Sequence, residues 1–167
     1  TYAYSRGVSD LTVLRRAHAV MLRRLVSSWA ERAADLPLKS MDEALILASI
    51  VEKETGRDAD RGLVAAVFVN RLRIGMPLQT DPAVIYGLGA AFDGNLRKRD
   101  LLADTPYNTY TRRGLPPTPI AMPGAASLRA AVRSGSSLSF TTSSTPLMVI
   151  RPSTRGGAAS VSVRMRA

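Results

Sequence analysis

Ser40-Met41-Asp42-Glu43-Ala44-Leu45-Ile46-Leu47-Ala48-Ser49-Ile50-Val51-Glu52-Lys53-Glu54-Thr55 is the stretch that decides how this chain folds. From Ala44 to Val51 it is almost wholly apolar. A helix apolar all round belongs at the centre of a protein. Ser40 with Glu43 three residues on forms a capping box, and Gly56 supplies a stop. A buried central helix is therefore expected from Ser40 to Thr55. Two glutamates then stand at its C-terminal end. At about 100° per residue, Glu52 lies over Leu45, Ala48 and Ser49, while Glu54 lies about 200° away over Leu47, Ile50 and Val51. A regular helix cannot aim both into one cleft, so at most one of them does chemistry. Apolar surroundings and the negative end of the helix dipole both disfavour a charged carboxyl, and a raised pKa is what a general acid at neutral pH needs. The plainer alternative is that both are helix-end residues paired with Lys53, Arg57 or Arg61. Spacing alone does not choose between the two glutamates.

Upstream, residues 9–34 read as an amphipathic helix, with Ser9 or Asp10 as cap and Leu11, Leu14, His18, Met21, Leu22, Leu25 and Trp29 at helical spacing. Leu36-Pro37 ends it. Downstream, a third helix is expected from Ala59 to Arg73, capped by Asp58 and stopped near Gly75. From Met76 to Gly124 proline, glycine and short mixed runs predict loops, short strands and hairpins. Ala125 to Arg133 reads as a short helix. The expected class is α+β: a helical N-terminal half around a buried central helix, followed by a small sheet.

Composition narrows the functions. With no cysteine among its 167 residues, the chain has no disulfides, thiolate nucleophiles or cysteine metal sites. His18, the one histidine, cannot build a metal site alone, so neither metal nor cofactor is expected. The net charge is +10, yet residues 1–132 carry 18 basic and 13 acidic side chains, and the remaining +5 sits in Arg133, Arg151, Arg155, Arg164 and Arg166. No basic stripe interleaved with aromatics accompanies it, so nucleic acid is not the expected partner. An anionic wall or membrane surface suits mild positive charge better. No run approaches the roughly 18–20 apolar residues of a membrane span. Because the chain begins at Thr1, it is expected to be a piece of a longer protein.

Two further stretches are built for polar ligands. Leu78-Gln79-Thr80-Asp81-Pro82-Ala83-Val84-Ile85-Tyr86-Gly87 places three polar side chains in a turn able to meet sugar hydroxyls and amides. Its plainer reading is a capped turn opening a short helix at Pro82. Tyr107-Asn108-Thr109-Tyr110, followed by Gly114-Leu115-Pro116-Pro117-Thr118-Pro119-Ile120, sets aromatics beside hydrogen-bonding groups, a combination that suits carbohydrate. The alternative there is a hairpin with cross-strand tyrosines.

Leu47 to Thr55, Val67-Phe68-Val69-Asn70-Arg71-Leu72, Leu78 to Pro82, Val84 to Gly87, Tyr107 to Tyr110 and Gly114 to Pro117 together resemble, in order and spacing, the endolytic murein transglycosylases, the YceG-like family. The resemblance covers roughly residues 1–133. It implies a lyase that cleaves the β-1,4 bond after N-acetylmuramic acid within peptidoglycan glycan strands. One glutamate protonates the leaving oxygen, then acts as base toward the C6 hydroxyl of the same sugar, closing a 1,6-anhydro ring without water. That scheme departs from the usual pair of glycosidase carboxylates. The family's catalytic glutamate matches Glu52. Gln79, Thr80, Asp81, Tyr86, Tyr107, Asn108, Thr109 and Tyr110 match positions expected to line the glycan cleft. The resemblance further implies the bacterial cell envelope, with the catalytic domain on the periplasmic side of the inner membrane. It also implies an N-terminal anchor and a LysM-like subdomain, both expected to lie outside residues 1–167, and cell-wall synthases as partners. A catalytically inactive peptidoglycan-binding module is the alternative. A pyridoxal-phosphate lyase would need a lysine and a phosphate-cradling glycine loop. Lys39, Lys53 and Lys98 have no such loop beside them.

Thr118 and Met122 are small departures from the family pattern. The segment 134–167 is a large one: nine of the twelve residues from Ser134 to Thr145 are Ser or Thr. The family's aromatic strand, Gly-His pair and closing helix are missing after Arg133. Taking the last base of each codon with the first two of the next permits much of that missing strand. Residues 134–167 are accordingly expected to be an out-of-frame, disordered tail, and residues 1–133 a catalytic domain.

Overall fold

The computed structural model describes residues 3–134. The tail beyond Ser134, expected to be disordered and out of frame, lies outside the described residues. Six α-helices order the described chain: α1 (Asp10–Ala30), α2 (Met41–Glu54), α3 (Asp58–Arg73), α4 (Asp81–Leu88), α5 (Lys98–Leu102) and α6 (Ala125–Arg133), with a 3-10 turn at Gly89–Ala91.

Helix α2 is the axis, as its apolar sequence predicts. Ala44, Ile46, Leu47, Ala48, Ser49, Ile50 and Val51 are all buried, and α1, α3, α4 and α6 pack around it. Phe68 of α3, Leu128 of α6 and Leu78 of the following loop close the core against Leu47 and Ile50. Each such side chain contributes about 1.5–3 kcal/mol on burial. The one hydroxyl inside α2 is accounted for: Ser49 donates to the Ile46 carbonyl (2.7 Å) and accepts the N–H of Ile120 (3.0 Å), which ties the proline-rich loop to the helix. The predicted caps hold at two helix starts. Ser9 accepts from the N–H of Thr12 (3.3 Å), and Ser40 from that of Glu43 (3.2 Å). The Glu43 carboxylate reaches back one residue further than a capping box requires, to the N–H of Lys39 (2.6 Å).

The expected α+β class is overturned: no strand forms among the described residues, and the region predicted as short strands and hairpins holds α4, α5 and loops. Prolines explain much of this. Pro77, Pro82, Pro106, Pro116, Pro117, Pro119 and Pro123 remove the donors a ladder needs. What survives of a pairing is one local clasp, in which Gln79 donates to the Thr109 carbonyl (3.0 Å) and the N–H of Thr80 to the Thr109 hydroxyl (3.0 Å). Tyr107 to Tyr110 is a turn, held by Asn108. Its buried amide donates to the carbonyls of Asp100, Leu101 and Ala103 at the end of α5, and its Oδ1 accepts from the N–H of Tyr110 (2.9 Å). The side chain does for α5 what a continuing helix would otherwise do.

Candidate active site at the C-terminal end of helix α2

Helix α2 stays regular through Glu54, so its two glutamates part as the spacing requires, each into its own surroundings. Glu52 turns toward α6 and α3. Its Oε2 accepts the N–H of Gly124, the N-cap of α6, at 2.9 Å, and the hydroxyl of Ser127 at 2.6 Å. Ser127 is wholly buried and in turn accepts from Nε of Arg61 at 3.0 Å. The Nη2 of Arg61 stands 3.8 Å from the other carboxylate oxygen, Oε1. The same guanidinium bonds Asp58 one helical turn back. The Arg61 side chain is 12% exposed and that of Glu52 28%, so the ion pair is largely covered while the carboxylate keeps some contact with solvent.

The expectation that apolar surroundings raise the pKa of Glu52 needs correction. Burial does push it up and is the largest single influence. The hydrogen bonds from Ser127 and Gly124, with the charge of Arg61, together outweigh it and leave the carboxyl below its ordinary value. Free Glu52 is therefore a carboxylate at neutral pH.

Glu54 turns the other way, toward the start of α4 and the tyrosine turn. Burial pushes its pKa up. A close Thr80 hydroxyl opposes the rise, the Asp81 charge adds to it and Arg71 opposes it. Thr80 Oγ1 is buried without a well-formed hydrogen bond. The Tyr110 hydroxyl donates to Asp81, and burial, then this bond, raise its pKa. Arg71, itself buried, also donates to the Leu78 carbonyl.

Of the polar positions singled out by sequence, Thr80, Asp81 and Tyr110 thus gather beside Glu54 rather than Glu52. Thr80, Asn108 and Thr109 are buried; the Asn108 and Thr109 side chains bond the protein's own backbone, and Thr80 meets the Thr109 hydroxyl through its main-chain N–H and carbonyl. Gln79 is exposed and holds a φ of 53°, and Tyr86 is exposed too. The Tyr86 and Tyr107 rings lie 5.0 Å apart, tilted by 59°. Gly87 permits that approach, because a Cβ there would meet Cβ of Tyr107 at 2.8 Å. Tyr107 also shares a hydrogen bond with Thr118 (2.7 Å), the residue that departs from the family pattern. Sequence reasoning missed Arg61 as a hydrogen-bonded partner of a relay, and missed Gly124 and Ser127 altogether. A glycine with a serine three residues on at the start of a helix, where N–H groups lack helical acceptors, is the signal that could have found the last two.

Residues 1–142 match the sequence profile of the YceG-like family. The chain belongs to the YceG-like family. Among YceG-like relatives, the endolytic murein transglycosylase of Bacillus subtilis (strain 168) is 50% identical over 93 residues, which make up 56% of this chain and 26% of that protein. The endolytic murein transglycosylase of Streptococcus pneumoniae (serotype 2, strain D39) is 41% identical over 88 residues, 50% of this chain and 16% of that one. The crystal structure of a YceG-like protein from Listeria monocytogenes superposes with a TM-score of 0.68 at 32% identity, covering 95% of this chain and 49% of that chain. This YceG-like chain therefore spans about a quarter of the Bacillus relative and about half of the Listeria chain. Among the described residues, no helix is long and apolar enough to cross a membrane.

Proposed function

We propose that this YceG-like chain carries the catalytic residues of an endolytic murein transglycosylase, within residues 1–133, and that Glu52 is its acid and base. The observation that carries the reading is the Glu52 carboxylate. It is partly open to solvent, fixed at one oxygen by Gly124 and Ser127, and among the described residues has Oε1 unencumbered by a close hydrogen bond. The proton of Glu52 passes to O4 of the departing N-acetylglucosamine as the C1–O4 bond breaks. The C6 hydroxyl of N-acetylmuramic acid then bonds to C1 and returns its proton to Glu52, leaving a 1,6-anhydro end and the catalyst unchanged. The proton must first be acquired, because the free carboxylate is ionised. A glycan laid over the site excludes water and strengthens the desolvation that already pushes Glu52 toward its acid form. Proton uptake accompanies substrate binding.

The relatives named for this activity support the substrate class. Gln79, Asp81, Tyr86, Tyr107 and Tyr110 would bind the glycan strand beyond the scissile bond, since Asp81 and Tyr110 stand on the Glu54 side of α2, away from Glu52, with the exposed Tyr86 ring a surface on which a sugar can stack. Thr80, Asn108 and Thr109 would shape that surface from within. The reading places the whole protein in the cell envelope, anchored in the inner membrane and facing the wall, in company with wall synthases. It calls on no cofactor.

One observation favours a second assignment of the acid. Glu54 leans toward its protonated form and has Thr80, Asp81 and Tyr110 around it. Release of 1,6-anhydro products from glycan strands separates the two. Glu52→Gln is expected to bind glycan and abolish release, whereas Glu54→Gln retains release. Loss of release in Glu54→Gln with full activity in Glu52→Gln would exchange their roles. Absence of release in the unaltered protein would leave a glycan-binding module.

A further inference from the structure

The hydrogen bonds around Glu52 are unevenly shared between its two oxygens. Oε2 receives both short donors, the Gly124 N–H and the Ser127 hydroxyl, while among the described residues Oε1 has the Arg61 Nη2 at 3.8 Å and no hydrogen bond of ordinary length. Ser127 can give its one proton to Glu52 because Arg61 Nε occupies its acceptor side. Asp58 holds Arg61 from behind. The chain Asp58–Arg61–Ser127–Glu52 therefore runs in a single direction, each group donating to the next from Arg61 onward.

We propose that Arg61 and Ser127 are positioning residues for Glu52, a relay that anchors Oε2 and leaves Oε1 as the oxygen that exchanges a proton with the glycan. The assignment rests on Glu52 being the acid and base. Ser127 is wholly buried and cannot itself touch substrate, so its effect is exerted through the carboxylate. The groups facing Glu52 are Arg61 from α3, with Asp58 behind it, and Ser127 and the Gly124 N–H from α6. All those that contact the carboxylate stabilise its charged form. The relay thus fixes geometry at the expense of the acid form, and catalysis must fall as pH rises past the point where Glu52 loses its proton.

This gives the relay a readout that a merely structural serine lacks. Removing a hydrogen bond to a charged carboxylate raises its pKa by about one unit. In the full chain, Ser127→Ala is expected to move the alkaline limb of kcat/KM upward by about one pH unit. It should lower kcat about tenfold where both forms are fully protonated, with KM little changed, because the carboxylate is no longer held in place. Arg61→Lys keeps a charge but loses the guanidinium Nε–H, and should move the limb the same way by less. It also carries the test if Ser127→Ala does not fold. Carbon-13 titration of the Glu52 carboxyl follows the same shift without any reaction. An unmoved or lowered Glu52 midpoint in either folded variant overturns the relay. A raised midpoint in a protein whose Glu52→Gln form still releases anhydro ends upholds the anchoring of Oε2 but removes Glu52 from the chemistry.

Discussion

At the scale of single residues, Gln79 is the sharpest anomaly. It is the one non-glycine residue with positive φ among those described, at 53°, a conformation that costs an L-residue about 1–2 kcal/mol. Its backbone N–H is committed to the Thr109 carbonyl, so the turn must keep this shape, and its side chain is left facing solvent. Glycine would adopt the same φ without strain, offset in part by its larger freedom in the unfolded chain. Gln79→Gly is expected to raise stability by about 0.5–1 kcal/mol in denaturant unfolding. If the amide meets sugar, the same change raises KM for glycan strands severalfold. A variant that is less stable than the parent would show that the turn draws support from the Gln79 side chain rather than straining it.

At the scale of elements, the end of α2 is a divide, with an ionised glutamate on one side and one leaning toward protonation on the other. Glu54 binds its proton more tightly folded than unfolded. Below its ordinary 4.5 the carboxyl is protonated in both states, and its burial is unpenalised. As pH rises from there through the raised folded value, the unfolded chain ionises first and the folded state loses stability. Glu52 has the opposite sign: its contribution is present above 4.5 and is lost as pH falls through its lowered value. Glu54→Gln keeps the shape and removes only the first effect. Its melting temperature, relative to the parent, is therefore expected to climb as pH rises from about 4.5. A difference that stays constant from acid to neutral pH would show that Glu54 is not held against ionisation. The divide itself was legible: a regular α2 and a turn of about 100° per residue separate the two faces. Helices α1, α2, α3 and α6 were legible for the same reason, since apolar periodicity and caps are local signals. Helix α4 was legible only as the plainer reading of the turn at Pro82, and α5, five residues long among prolines and glycines, was not. Nor was the role of Asn108, because a side chain that caps another helix's carbonyls leaves no periodic trace. The clamp on Glu52 was hidden for a different reason: Ser127 lies 75 residues away in sequence, and only the packing of α6 brings it near.

At the scale of the whole molecule, that packing joins stability to chemistry through α6. One face of the helix, with Leu128, Ala131 and Val132 fully buried, closes the core against α1, α2 and α3. Its first turn supplies Gly124 and Ser127 to Glu52. The Glu52 carboxyl therefore has its anchor on the last described element and its own backbone on the central one, so the proposed site exists only when the fold is closed. Leu128→Ala tests this linkage. Removing a fully enclosed leucine leaves a cavity worth about 2–5 kcal/mol, a large share of a small domain's stability. The unfolding midpoint should fall accordingly in denaturant. Well below that midpoint, a repacked α6 that still seats Ser127 would leave the Glu52 carboxyl titrating as in the parent. A shifted α6 would raise its midpoint as loss of the serine does. Because core and clamp share one helix, denaturant should abolish the depressed Glu52 titration and the near-ultraviolet signal of Trp29, which packs on the same core, in one transition. A Glu52 titration that returned to its ordinary value well before the tryptophan signal was lost would separate site from core and refute the linkage.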